Sequence, residues 1–254
     1  MKTLKYLQRF FILLFVGFAL CTVQACGDDE EDEPIQKPDE EEVVKPDDDE
    51  EEKDDSDTFT GTINGHEWID LGLSVKWATC NVGASMPENY GDYYAWGETT
   101  TKSDYSWETY KWCKGTDDTM TKYCTDSDYG TVDNRTTLTS SDDVATVKWG
   151  SKWRMPTMKE MEELRDECTW KWVTQSGVEG MKVTGPNGNS IFLPAAGYRD
   201  GADLIDRGSY SAYWSATLDE DYNNFAFNLS FYDSRCNCYS DYRYFGSTVR
   251  PVTK

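Results

Sequence analysis

Residues 27–57 hold 19 Asp or Glu against three Lys, and their only large aliphatic side chains are Ile35, Val43 and Val44. A stretch this charged cannot bury enough apolar surface to offset the entropy lost on ordering. It therefore fixes where folding has to begin. The stretch carries a net charge of −16 and the residues before it carry three basic groups and no acid, so the chain's −22 leaves −9 for residues 58–254. Most of the acidity belongs to a tether and not to a binding face. Like charges repel along it, and its expected span lies between a coil of roughly 30 Å and a full reach of about 100 Å.

The segment ahead of the acids reads as an export signal. Lys2, Lys5 and Arg9 precede the apolar run FFILLFVGFAL, which ends at Leu20. A bilayer span needs roughly 20 apolar residues, so this run is a signal core. Val23, Gln24 and Ala25 then lead into Cys26. That order resembles the lipobox of bacterial lipoproteins, in which a small residue precedes a cysteine that is acylated and becomes the mature N-terminus. Cys21 follows Leu20, which is too large for that position. Acids directly after a lipidated cysteine also look like the export tag that sends Bacteroidota lipoproteins to the outer face of the outer membrane. The expected organisation is a signal peptide over 1–25, a lipidated acidic disordered linker over 26–57 and one domain over 58–254. The expected location is a lipid-anchored position on the outer membrane facing the cell exterior, the alternative being retention facing the periplasm.

A domain of this length suits a single core. So acidic a surface makes nucleic acid a poor partner. Cys80, Cys113, Cys124, Cys168, Cys236 and Cys238 remain in the domain. In an exported protein they permit disulfides, with 15 connectivities open. Cys113 and Cys124 are the pair most easily joined, across a short polar loop, whereas Cys236 and Cys238 alternate on one strand and would be strained if joined directly.

Residues 63–79 read as short strands, EWIDLG and VKWATC, separated at Gly72. Residues 86–133 are polar, aromatic and turn-rich, and they predict long loops around a short strand YYAWGE. SSDDVATVKWG predicts a short helix with Ser141 as cap, Asp142 and Asp143 at the positive end of its dipole and Gly150 as stop. KWRMPTMKEMEEL carries a capping box, Thr157 with Glu160, followed by Met158, Met161, Leu164 and Cys168 at helical spacing. MKVTGPNGNSIFLPAA predicts a hairpin turning at Pro186, Asn187 and Gly188, with SIFLP as a buried strand. In NNFAFNLSF the residues Phe225, Phe227, Leu229 and Phe231 alternate with smaller ones, which predicts one buried face, with YWSAT and STVRPV as flanking strands. Helices early and paired strands late give the class α+β.

The blocks HEWIDLGLSVKWATCNVGA, DYYAWGE, KWRMPTMKEMEEL, GNSIFLPAAGYR, YWSAT and STVRPV, in that order, resemble the Fibrobacter succinogenes major paralogous domain, a family of exported proteins without an established activity. The resemblance runs from about residue 63 to residue 252. It implies a C-type-lectin-like single domain with short antiparallel sheets, two helices and long loops, distantly similar to the formylglycine-generating enzymes. The fold carries many functions and does not choose among them. The acid-proline-amide and tryptophan-asparagine-aspartate motifs with which lectin-like relatives hold calcium and sugar do not occur here.

Individual residues narrow the chemistry further. His66 is the single histidine and sits in a predicted strand, where a structural role fits it better than catalysis. Cys236-Asn237-Cys238 is the one close thiol pair, spaced more tightly than the copper-holding cysteines of the formylglycine-generating enzymes. Asp126, Asp128 and Asp133 surround Gly130 with oxygen ligands of the kind calcium prefers, but without the twelve-residue register and terminal Glu of a calcium loop. They read as an Asx-rich turn. Arg154 and Arg250 adjoin residues expected to be buried and read as structural guanidinium bridges. Tyr105, Trp107, Tyr110 and Trp112 in SDYSWETYKW remain, as rings on which a sugar could stack. The expected function is a surface-anchored, non-catalytic recognition or adhesion module for a glycan or protein, with no cofactor, no metal and a lipid anchor in the membrane. The alternatives are a formylglycine-generating-type enzyme and a structural surface protein without a discrete ligand.

Overall fold

The computed structural model describes residues 60–233 and 235–254. The expected signal peptide, the expected lipidation site Cys26 and the expected acidic linker lie outside the described residues.

Strands β1 (Thr60–Ile63) and β2 (His66–Ile69) open the domain as an antiparallel hairpin. Its two-residue loop, Asn64 and Gly65, has both φ angles positive, at 53° and 81°. Asn-Gly suits such a turn because Gly takes left-handed conformations without strain and Asn tolerates them. The sheet continues through β3 (Lys76–Ala78), which pairs with the last strand of the chain, Val252–Thr253. STVRPV was expected beside NNFAFNLSF; instead its end closes this first sheet, and only Thr248 bridges to Tyr213. YYAWGE likewise forms no strand, since Tyr94 makes a single bridge with Ser247.

Helix α1 (Val144–Trp149) follows the long loops, with Gly150 as C-cap at φ 94°. Its N-cap is Asp143, whose carboxylate accepts from Thr146 N at 2.9 Å and Met155 N at 2.8 Å. The expected cap Ser141 lies two residues too early. Asp142 does not serve the helix dipole, because its carboxylate binds Lys122 and accepts from the Tyr123 hydroxyl at 2.6 Å. Asp143 therefore meets both the helix terminus and the chain returning from it.

Helix α2 (Met158–Glu167) starts on the expected capping box, with both reciprocal bonds present. Its Met161 and Leu164 are fully buried in one core with Met181, Leu229 and Phe231. Glu160 also takes two bonds from Arg154, at 2.7 and 2.5 Å. Burial alone would raise its carboxyl, but the bonds from Arg154 and Thr157 outweigh burial and hold the group below the usual carboxylate range. Glu160→Gln is accordingly expected to cost about 1–2 kcal/mol, by weakening one charge-assisted pair and half of the box. A domain this size should then melt roughly 3–6 °C lower. A melting temperature within 1 °C of wild type would show that the box adds nothing.

Three further antiparallel groups complete the domain. β4 (Thr169–Gln175), β5 (Val178–Thr184) and β6 (Ser190–Pro194) form a meander, with the expected hairpin between β5 and β6. β7 (Tyr198–Asp200) and β8 (Asp203–Ile205) form a short ribbon. β9 (Tyr210–Leu218), β10 (Phe225–Tyr232) and β11 (Arg235–Tyr242) form a sheet with β10 in the middle. The period-two reading of β10 needs correction. Leu229 and Phe231 are buried against α2, but Phe225 and Phe227 are only half-buried, while their small neighbours Ala226, Asn228 and Ser230 are buried. Over half its length, β10 is covered on both faces. With β12 (Val252–Thr253) counted, the described residues hold two α-helices and short antiparallel sheets, an α+β fold.

Candidate functional site

Long loops leave many backbone carbonyls without a strand partner, and buried carbonyls need donors. In this domain aromatic side chains supply them. Tyr105 donates its hydroxyl to Tyr93 O at 2.7 Å, Tyr110 to Trp96 O at 2.8 Å, and Trp112 its indole N–H to Gly97 O at 2.9 Å. Tyr105 and Tyr110 are 1 % and 3 % exposed. Their expected role as open stacking rings is corrected: both belong to the core that solidifies the loops. Trp107 and Trp112 are half-buried and pack against that core. The expected Cys113–Cys124 disulfide is not formed. Each thiol instead donates to its own carbonyl, Cys113 to Trp107 O and Cys124 to Asp126 O, both at 3.1 Å.

The pin of this arrangement is Arg243, which is 0 % exposed. Its Nε donates to the Tyr110 hydroxyl at 2.9 Å, Nη1 to Tyr123 O and Asn223 O, and Nη2 to Lys122 O. The planar group also sits over the rings of Trp96 at 5.0 Å and Tyr110 at 5.3 Å. Arg243 thus ties three loops to the segment that follows β11. Arg250 does the same elsewhere, donating to Ala78 O, Thr79 O, Phe192 O and Asn81 Oδ1.

With Arg243 turned inward, its neighbours Tyr242, Tyr244 and Phe245 are left only half-buried. Trp107 meets Tyr244 edge-on at 4.8 Å, Tyr244 meets Phe245 at 4.7 Å, and Phe245 meets Tyr198 at 5.2 Å. Gly246 lets the segment lie on Tyr105: a Cβ there would come 2.6 Å from the ring. At the end of this row is a cavity of about 220 Å³. Tyr198, Tyr210 and Phe245 wall it, the buried Ala212 and Ser247 line its base, and Asp206 and Asp241 supply carboxylates.

A hydrogen-bonded chain on β10 fixes the cavity from behind. The Tyr210 hydroxyl donates to Ser230 Oγ at 2.9 Å, Ser230 to Asn228 Oδ1 at 2.5 Å, and Asn228 Nδ2 to Asp241 Oδ2 at 2.9 Å. This is why Asn228 and Ser230 of β10 are polar and buried. Burial pushes the Tyr210 and Tyr198 hydroxyls above their ordinary values, and the negative charges of Asp241 and Asp206 push the same way. Asp200 is raised by burial and by facing Asp203. The two tyrosine hydroxyls are therefore held neutral beside the carboxylates. The site offers ring faces, hydroxyls and carboxylates on a rigid sheet, which suits binding.

Other groups weighed for chemistry are occupied elsewhere. His66 stacks on Trp149 at 3.7 Å, and burial lowers its pKa. Burial, with Cys238 adding to it, pushes the Cys236 thiol up to about 12, and burial likewise raises Cys168 and Cys238 to about 11. Asp133 accepts from Tyr123 N, Cys124 N and Arg135 N, and Asp126 from Asp128 N, as in Asx turns. Arg154 bridges to Glu160 and Arg250 to carbonyls, both structural roles. The sequence reading passed over Tyr198, Asp206, Tyr210, Asp241 and Phe245. The dense aromatic run YSDYRYFG was the visible signal, but it shows neither which ring turns inward nor which other strand meets it. No family model matches the chain, and no curated protein or solved structure gives a significant match.

Proposed function

We propose that this chain is a surface-anchored, non-catalytic recognition or adhesion module that takes a glycan or protein ligand in the cleft between Tyr198, Tyr210 and Phe245. The observation carrying this reading is the cleft itself: three rings and two carboxylates, of which Tyr210 and Asp241 are held by a buried hydrogen-bonded chain, preorganised in the manner that keeps ordering costs low on binding. The short antiparallel sheets, two helices and long loops support a C-type-lectin-like fold and membership of the Fibrobacter succinogenes major paralogous family. The half-buried thiols of Cys168, Cys236 and Cys238, raised by burial, and the stacked histidine support recognition over nucleophilic chemistry, because a nucleophile needs a lowered pKa or an adjacent base. The signal-like N-terminus, Cys26 and the acid run support lipid anchoring with display on the outer face of the outer membrane.

The test is a glycan array and a cell-binding assay run with the protein and its Tyr198→Ala variant, with and without calcium. A hit that Tyr198→Ala weakens by at least about tenfold is expected, since a few aromatic anchors dominate most interfaces. A hit that survives this substitution moves recognition away from the cleft.

A further inference from the structure

We infer that β11 is the seam of a symmetric dimer: its outer edge pairs antiparallel with β11 of a second copy, centred on Cys238, and joins two three-stranded sheets into one. β11 is eight residues long, runs beside β10 without a shift of register and contains neither Pro nor Lys. Natural edges this long and regular are usually guarded, because their unpaired N–H and C=O groups accept any strand that approaches. By contrast, β9 is covered on its outer side, with Trp214 N donating to Thr248 O, Ala216 N to Pro156 O and Leu218 N to Thr136 O. β4, at the edge of its meander, carries Lys171.

Which groups face outward follows from the hairpin. Arg243 N donates to Asn224 O at 3.1 Å, so this pair, next after Phe225 and Tyr242, is a hydrogen-bonded one. Bonded and non-bonded pairs alternate along an antiparallel ladder. The odd-numbered residues of β11 therefore bond to β10, and Cys236, Cys238 and Ser240 direct their backbone groups away from it. Among the described residues no backbone bond outside the hairpin uses these three. Arg235, Asn237 and Tyr239, which share the opposite face from the cysteines, are exposed.

Charge selects the partner and the register. Arg235 and Asp241 are the charged side chains of β11, and they lie at equal distances on either side of Cys238. Placing Cys238 opposite Cys238 of a second copy therefore sets each Arg235 opposite the other copy's Asp241. The same placement faces Cys236 with Ser240, so the outward groups of both strands meet as bonded pairs. Moving the register by one bonded pair in either direction loses both ion pairs. Opposite charges directly across a ladder stabilise it, and here they close both ends of the seam. Asp241 keeps its bond from Asn228 while doing so, because a carboxylate accepts at two oxygens. Asp241 also lines the cleft, so the seam brings Arg235 of the second copy to the rim of each cleft and opens both clefts on one face of the joined sheet. On the reading of the cleft as the recognition site, two copies held this way grip a repeated ligand with greater avidity.

The experiment follows the oligomeric state of the full-length protein, released from detergent micelles in native mass spectrometry, over rising protein concentration. A dimer is expected. Ser240→Pro should weaken its association by at least about tenfold, because the outward N–H it removes is used twice across the axis while the bonds to β10 do not need it. Arg235→Asp, at an exposed position, should weaken association about fivefold or more at low salt, with the effect shrinking as salt rises. Copper phenanthroline, an oxidant that takes two electrons from a pair of thiols, should join Cys238 to Cys238 of the second copy. Facing residues of a bonded pair lie about 5.5 Å apart at Cα, within the reach of a disulfide. Cys238→Ser should abolish that link and Cys236→Ser should leave it. A protein that stays monomeric up to about 100 µM overturns the inference. So does a dimer that Ser240→Pro and Arg235→Asp leave intact, or one whose cross-link does not map to Cys238. Should Ser240→Pro fail to fold, Arg235→Asp and the cross-link on the unsubstituted protein decide the matter.

Discussion

Arg243→Ala is expected to lower the melting temperature by about 10 °C or more. The guanidinium is fully buried and donates to the Tyr110 hydroxyl and the carbonyls of Lys122, Tyr123 and Asn223. Each buried acceptor left unpaired costs roughly 1–3 kcal/mol. Water entering the vacated space rescues some of them, so a net loss of about 3–5 kcal/mol is expected, at roughly 2–4 °C for each. Arg243→Lys should recover little of it, because one ammonium cannot fan out to four acceptors in the plane of a guanidinium. The near-ultraviolet circular dichroism signal should fall with it, since Trp96, Tyr110 and Tyr123 surround the group. A variant that melts within 3 °C of wild type would show that the loops hold together without this pin. An intermediate result, with the loops loosened and β9–β11 intact, should also weaken ligand binding, because Arg243 is flanked by the segment that carries Phe245.

Cys26→Ala is expected to move the protein from the membrane fraction to the soluble fraction almost completely. The expectation follows from the order small residue then cysteine after a signal-like apolar run. One acyl chain binds a bilayer only marginally and several anchor it stably, so removing the acylated residue removes all of the anchoring at once. Cys21→Ala should leave the distribution as it was, since Leu20 does not suit the position before an acylated cysteine. Membrane retention of Cys26→Ala at the wild-type level would sink the lipoprotein assignment.

Features that depend on a few neighbouring residues were legible in the sequence. The capping box of α2 is written in Thr157 and Glu160, and the β5–β6 turn in Pro186, Asn187 and Gly188, because each joins groups only a few positions apart. The α+β class followed from the same local patterns. The Asn64-Gly65 hairpin was equally legible and was passed over, while the α1 cap was misread by two residues because Ser141, Asp142 and Asp143 all suit a cap. Which of them serves depends on Met155 returning to Asp143 and on Lys122 claiming Asp142.

The site was decided by the tertiary structure alone. In sequence, Tyr105 and Tyr110 look like amphipathic loop rings; whether such a ring faces solvent depends on whether a carbonyl far along the chain needs its hydroxyl. Tyr110 meets Arg243 across 133 positions, and Arg243 meets Lys122 across 121. Because Arg243 takes the inside, Tyr242, Tyr244 and Phe245 are left half-buried, and the rings of the proposed cleft lie well C-terminal of those the loop composition suggested. Local pattern determines which residues form a helix or a turn, since those bonds close over three or four residues. Which aromatic ring is left for a ligand is settled only when distant segments compete to bury theirs.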